Sequence, residues 1–312
     1  MIRLVLERTV ASLVVVLGAV TLIFLILNWL PGDPASLVAG EGASAETIEH
    51  VRIQLGTDRP LLRQYREYLV GLAHGDLGRS YVTREPVLAK IESQFPSTAC
   101  LALASAAVAV ALGIGMGVLS AVYRGRWVDQ VFQVAALFLV SIPPFWLGLL
   151  GILLFSVKLR WLPVIGRGGV APSVLPVACL GLIFSVPLLR MVRNGIIEAL
   201  DEPYVMTLRA KGLRARRIVY VHVLRNVLMS TVTLLGILVG ELLSGLVIVE
   251  ILFARQGLGR LAVEAVSNKD MPVVQGAILL TSVAYVGINL LVDISYAWID
   301  PRVRVAAAGR AR

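Results

Sequence analysis

The chain has 312 residues, 57% of them hydrophobic and 16% charged, with a mean hydropathy of +0.82. Soluble domains carry about a quarter charged residues, so an ordinary soluble protein is excluded, and apolar runs of bilayer length, about 20 residues per helix, predict one polytopic membrane domain. The net charge of +9 falls in loops between these runs, without aromatic interleaving or a base-reading motif, which argues against nucleic acid as a partner.

Arg3 and Arg8 precede a first apolar run over residues 10–30, longer than the h-region of about 7 to 15 residues in a signal peptide. It is expected to be an uncleaved anchor. Leu30-Pro31-Gly32-Asp33-Pro34 ends it, because two prolines and a glycine prevent the helix from continuing. Residues 31–95 turn polar and carry two amphipathic helical patterns, 45–55 and 60–72, the second placing Leu61, Leu62, Tyr65, Tyr68, Leu69 and Leu72 on one face. A small folded extramembrane cap is predicted.

The second span, residues 98–122, is rich in alanine and contains Gly113, Gly115 and Gly117. Small residues permit close helix approach in lipid, and packing is favoured over a transport-specific role. Cys100 and Cys179 both sit in apolar runs, where a thiol acts as a small hydrophobe; neither a disulfide nor a redox role is expected. The third span, 128–157, is interrupted by Ser141-Ile142-Pro143-Pro144. Its freed carbonyls need protein or water nearby, so a kink is expected near the bundle interior, with Pro143 and Pro144 as hinge candidates. The fourth span, 173–191, contains Pro176 and Pro187 and ends near Arg190; the fifth, 227–252, contains Glu241; the sixth, 273–299, contains Asn289 and Asp293. Glu241 is a candidate for the translocation path, since an ionisable side chain in mid-span is functional by default; a hydrogen bond to a neighbouring helix is the alternative.

Residues 198–228 stand apart. Six basic residues, Arg209, Lys211, Arg214, Arg216, Arg217 and Arg225, follow three acids, Glu198, Asp201 and Glu202, and such a segment cannot sit in hydrocarbon. The positive-inside rule counts Lys and Arg in short loops. With the N-terminus inside, 16 fall on the cytoplasmic side and 6 on the outer side, which places both termini and this segment in the cytoplasm. Its composition suits a short surface helix, a turn at Gly212 and a second helix that re-enters the membrane. Composition alone leaves two uses open: docking a partner, or binding anionic headgroups at about 1 kcal/mol per basic residue. No GxxxxGKS/T phosphate loop occurs, and His50, His74 and His222 have no metal-ligand spacing, so ATP hydrolysis by this chain itself is not expected.

The order and spacing of many short stretches resemble the B-type permease subunit of dipeptide, oligopeptide and nickel ABC importers, over almost the whole chain. They include Leu30-Pro31-Gly32-Asp33-Pro34, Leu61-Leu62-Arg63-Gln64-Tyr65, Gly75-Asp76-Leu77-Gly78, Phe145-Trp146-Leu147-Gly148, Trp161-Leu162-Pro163, Arg209-Ala210-Lys211-Gly212-Leu213, Gly257-Leu258-Gly259-Arg260, Pro272-Val273-Val274-Gln275-Gly276 and Asp300-Pro301-Arg302. The resemblance implies an all-α integral membrane fold, with six transmembrane helices of the type I ABC importer permease kind. It implies three segments: 1–30, an extracytoplasmic segment 31–96, and a permease core 97–312 carrying an EAA coupling loop at about 198–228.

The coupling helix it implies covers Tyr204, Thr207, Leu208, Arg209, Ala210, Lys211, Gly212 and Leu213, docking on an ATPase subunit. Arg214, Arg216 and Arg217 would also hold the loop at anionic headgroups. Implied partners are a second, homologous permease, two ATPase subunits or a fused pair, an extracytoplasmic substrate-binding protein and membrane lipid. No cofactor is bound by this chain; ATP and Mg belong to the ATPases. The implied location is the bacterial cytoplasmic (inner) membrane. Two departures from the family pattern stand at Leu208 and Thr207, where small residues are usual, and a third at Ser230, where relatives carry proline; Leu208 is expected to enlarge the docking contact. Asp293 matches the family and suits a structural pair with Arg302. The rivals are a secondary transporter, which calls for an internal repeat and intramembrane ion-binding carboxylates, and a membrane enzyme, for which the spans lack a Ser/His pair, paired aspartates or HExxH.

Overall fold

The computed structural model describes residues 2–29, 32–40, 42–166 and 170–299, and their side chains except at 2–8, 230, 232, 233, 239, 244 and 292–299. The expected pair of Asp293 with Arg302 and the side chain of Ser230 lie outside the described residues. Among these residues the named elements are all helices: α1 (Ile2–Trp29), α2 (Pro34–Ala39), α3 (Ala45–Leu55), α4 (Leu61–Ala73), α5 (Val87–Val122), α6 (Trp127–Ser141), α7 (Pro144–Gly151), α8 (Ala171–Leu200), α9 (Pro203–Ala210), α10 (Ala215–Arg217), α11 (Leu224–Leu252), α12 (Leu258–Ser267) and α13 (Met271–Ile299). Wider π-helical turns continue α7 over Ile152–Lys158 and join α10 to α11 over Ile218–Val223.

Among the described residues four helices are long and apolar enough to cross a bilayer, Thr9–Trp29, Val87–Val122, Ala171–Leu200 and Met271–Leu291, and up to six if each of two bent pairs is one span. The break after Ser141 is sharper than a kink: Trp127–Ser141 and Pro144–Lys158 are bent by 107°. Ile142 and Pro143 are extended, Pro144 restarts the helix at its first position, and the Cys179 thiol donates to the Pro144 carbonyl at 3.4 Å. Pro143 is exposed, so within this chain the break lies at the surface and not in the interior, with Pro144 half-buried beside it.

Two compact units form, one built on Ala99–Ala254 and the other on Arg8–Thr98 with Arg255–Val286. The core of the first joins Leu180, Phe184 and Leu188 of α8 to Leu238, Leu242, Leu246 and Val249 of α11. On α5 the glycines divide by face. A Cβ at Gly113 would meet Leu188 Cβ at 2.5 Å and one at Gly117 would meet Val192 Cβ at 2.9 Å, whereas Gly115 faces open space. Two glycines four residues apart lie on one helix face, and here they let α8 pack directly on the backbone of α5.

In the second unit, Leu27, Val87, Ile91, Leu258, Ala265, Val273 and Val274 form the core. Helix α5 begins at Val87, well before residue 98, because Val87 and Ile91 share a buried face although their neighbours Lys90 and Glu92 are polar. Helix α12 was not anticipated. Its signal was there in Leu258, Leu261 and Ala265, an i, i+3, i+7 pattern that lands in the core.

The cap helices fall where their patterns put them. Ser44 caps α3 by accepting from Thr47 N at 3.2 Å. Helix α4 turns Tyr65 and Tyr68 onto Phe24 of α1, with ring centroids 5.1 and 5.9 Å apart, and the Tyr65 and Thr21 hydroxyls lie 2.6 Å apart. Leu62, assigned to that face from sequence, is 80% exposed.

Candidate functional site

The basic segment divides into structural parts. Its first three residues close α8, which runs to Leu200. After Asp201 the chain is extended at Glu202, and Pro203 starts α9 at its first position, where the missing N–H costs nothing. Helix α9 stops at Gly212, whose φ of +78° is left-handed. Gly212 N donates to Arg209 O at 2.9 Å and Leu213 N to Leu208 O at 3.2 Å, the paired bonds of a Schellman stop. A Cβ at Gly212 would meet nothing, so the glycine is required by backbone conformation, not by space.

One side of this helix is an anchor. Val205 is 1% exposed and joins Ile218, Val219, Val223, Val192 and Ile196 in an apolar cluster, against which Leu208 and Leu213 also pack. Leu208 therefore adds area to the loop's own core instead of to the outer contact expected of it. The other side is free: Tyr204, Thr207, Arg209, Ala210, Lys211 and Gly212 are exposed, and so are Arg214, Arg216 and Arg217. Met206, which sequence reading passed over, is 75% exposed between Tyr204 and Thr207. Its unbranched, polarizable side chain suits an adaptable apolar contact, and an apolar residue in a charged loop was the signal for it.

Beside α9 lies a cavity of about 520 Å³ lined by Met191, Asn194, Glu198, Glu202, Tyr204 and Asn226, among others. Glu241 is exposed on α11 and makes no hydrogen bond or ion pair with any described residue. The expected alternative, a bond to a neighbouring helix, is not made among the described residues, and Glu241 shares its face with the exposed Ile237 and Ile248.

The second unit has a cavity of about 570 Å³, lined among others by Asn28, Asp33, Gln54, Arg59, Glu67, Tyr68, Arg79 and Gln275. Its rim is tied by charge. Asp33 caps α2 through Ala35 N at 3.0 Å and accepts from Arg52 at 2.6 Å. Burial works to raise the Asp33 carboxyl, but Arg52, the Ala35 amide and Lys269 outweigh it and hold it below its ordinary value. Arg63 and Arg59 likewise lower Glu67. Burial, aided by Tyr65, pushes the Tyr68 hydroxyl up to about 12. Asp270, 3% exposed, accepts from the Ser80 hydroxyl and from Tyr81 N at 2.9 Å, across about 190 residues of sequence.

Residues 113–305 match the family described as binding-protein-dependent transport system inner membrane component, and residues 1–102 match the N-terminal family of such membrane components. A putative peptide transport system permease protein of Brucella abortus (strain 2308) is 41% identical, covering 97% of this chain and 99% of the relative. The glutathione transport system permease protein GsiC of Escherichia coli (strain K12) is 40% identical with the same coverage. In fold the chain is similar to the inward-facing MetNI methionine ABC transporter, with a TM-score of 0.55 at 18% identity, covering 68% of this chain and 97% of that one. The matches to the two permease relatives run over nearly the whole chain and set aside the secondary-transporter alternative. The chain belongs to the binding-protein-dependent transport system inner membrane components and is a multi-pass permease component of an ABC importer.

Proposed function

We propose that this chain pairs with a second, homologous permease to line the path by which dipeptides or oligopeptides cross the bacterial cytoplasmic membrane. The related substrates of the same subunit type, nickel chelates and haem, fit the same architecture. Two ATPase subunits, or a fused pair, drive transport from the cytoplasm and hold the ATP and Mg; this chain binds no cofactor. An extracytoplasmic substrate-binding protein delivers the cargo to the segment 31–96. Both termini and the loop 198–228 face the cytoplasm, and residues 97–312 form the permease core. Peptide as cargo draws support from relatives named for peptide and glutathione transport.

The observation that carries the reading is α9, an eight-residue helix anchored by Val205 and Leu208 and otherwise presented to solvent. Tyr204, Met206, Thr207, Arg209 and Lys211 form its docking face, while Leu208, Gly212 and Leu213 fix where it ends. ATP binding draws the ATPases together, α9 moves with its cleft, and the permeases exchange inward-facing and outward-facing packings, with Pro143 and Pro144 as flex points. This is alternating access driven by differential binding to two states. Glu241 lines the path or its partner-facing wall.

Gly212→Pro tests the docking role. Proline cannot adopt a φ of +78° and removes the N–H that bonds Arg209 O. The helix stop should fail, lowering ATPase co-purification and uptake about ten-fold or more, in line with loss of an interface anchor. Normal uptake with normal assembly would refute it.

A further inference from the structure

Asp129 and Arg193 lie outside the docking face, yet they form a strongly built polar contact in the first unit. Asp129 is 4% exposed in the first turn of α6. Its carboxylate accepts from the Ser120 hydroxyl at 2.5 Å, from Gly125 N at 3.0 Å, and from Arg193 Nε and Nη2 at 2.8 Å each. One side chain thus gathers the end of α5, the turn after it, the start of α6 and the last third of α8. A two-pronged guanidinium–carboxylate pair fixes angle as well as distance, whereas apolar contacts can slide.

Little else buries α6. Asp129 and Ala136 are its only buried residues, and Val131, Val134, Leu137, Phe138 and Val140 are all more than half exposed. The position of the pair matters too. Arg193 stands seven residues, roughly 10 Å of helix, before Leu200, and only Asp201 and Glu202 separate α8 from α9. At its far end α6 meets the Pro143–Pro144 break.

We propose that the Asp129–Arg193 clamp is the joint through which displacement of α9 reaches that break, with Asp129 and Arg193 as positioning residues of the transport cycle. The inference rests on α9 being the ATPase-docking helix. With the clamp closed, α8 and the start of α6 move as one body. With it open, α8 and α9 still follow the ATPases, but α6 lags, so the substrate-binding protein no longer stimulates hydrolysis.

The test uses the complete importer in proteoliposomes, carrying Asp129→Asn, Arg193→Gln or the exchanged pair D129R/R193D. Co-purified ATPase and basal hydrolysis should stay near wild type. Hydrolysis stimulated by the binding protein should fall about five-fold or more in each single variant, the scale of a lost coupling between sites, and recover in the exchanged pair. Stimulation that stays intact per assembled complex would overturn the proposal. Because a variant could fail to assemble, spin labels at Val131→Cys and Arg190→Cys, in a Cys100→Ser, Cys179→Ala background with the clamp intact, supply a second measurement. Their separation should hold within about 2 Å, the size of an ordinary helix shift, between nucleotide-free and ATP-trapped complexes; a larger change would overturn the clamp. Gly212→Pro assembly judges the docking reading separately.

Discussion

The loop that carries α9 and the cap of α2 to α4 are both small helical excursions from long apolar helices, but they are held by different means. Helix α9 is fixed from below by apolar side chains, Val205 above all, and its charges point outward with no partner among the described residues. Helices α3 and α4 have no buried residue at all, and beside the contact of Tyr65 and Tyr68 with Phe24 charge ties bind the cap: Asp33 to Arg52 at 2.6 Å, and Glu67 to Arg59 at 2.7 Å and to Arg63 at 3.0 Å. A loop anchored by apolar side chains keeps its charged groups for another molecule. A cap tied by carboxylates has spent them on itself and inherits their pH dependence.

The strongest way to break this contrast is Val205→Asp. A carboxylate placed in that apolar cluster should cost about 3 kcal/mol or more, releasing α9 to protease attack within 203–217 while the cap stays protected. Limited proteolysis read by mass spectrometry would show whether the two regions respond separately. A smaller effect is expected from acid. Asp33 and Glu67 are both held below their ordinary values, and a group depressed in the folded state stabilises fully above its unfolded value and loses that contribution as pH falls through the folded one. Amide protection over 33–73, corrected for the intrinsic exchange rate at each pH, should therefore fall from about pH 4 downwards, with no matching change over 203–213. Asp33→Asn should flatten part of that response, and equal acid sensitivity in both regions would contradict the contrast.

Local pattern made much of this legible in the sequence. The spacing in α3 and α4, the proline break after Ser141 and the glycine stop at Gly212 each express a rule that acts within a few residues. What stayed hidden was pairing at a distance. Nothing near Asp129 announces Arg193, 64 residues on, and nothing near Ser80 announces Asp270. Facing was also hard to assign on short helices: Leu208 reads as added docking surface because small residues are usual at its place, and the fold of Ile218 and Val219 behind it packs it against the loop's own core. Leu62 failed in the opposite sense, since the aromatic pair Tyr65 and Tyr68 takes the whole contact with Phe24 and leaves the first turn of α4 in the open.

The central claim is that α9 is the surface on which the ATPase sits. A single cysteine at Thr207, on the outer face of α9, and another at Leu62 in the cap, each in the assembled importer in membranes, can be joined to neighbouring lysines with a short thiol–amine crosslinker. The account predicts an adduct with the ATPase subunit from Thr207→Cys and none from Leu62→Cys. An ATPase adduct from position 62, or none from position 207 nor from Met206→Cys and Arg209→Cys, would contradict it.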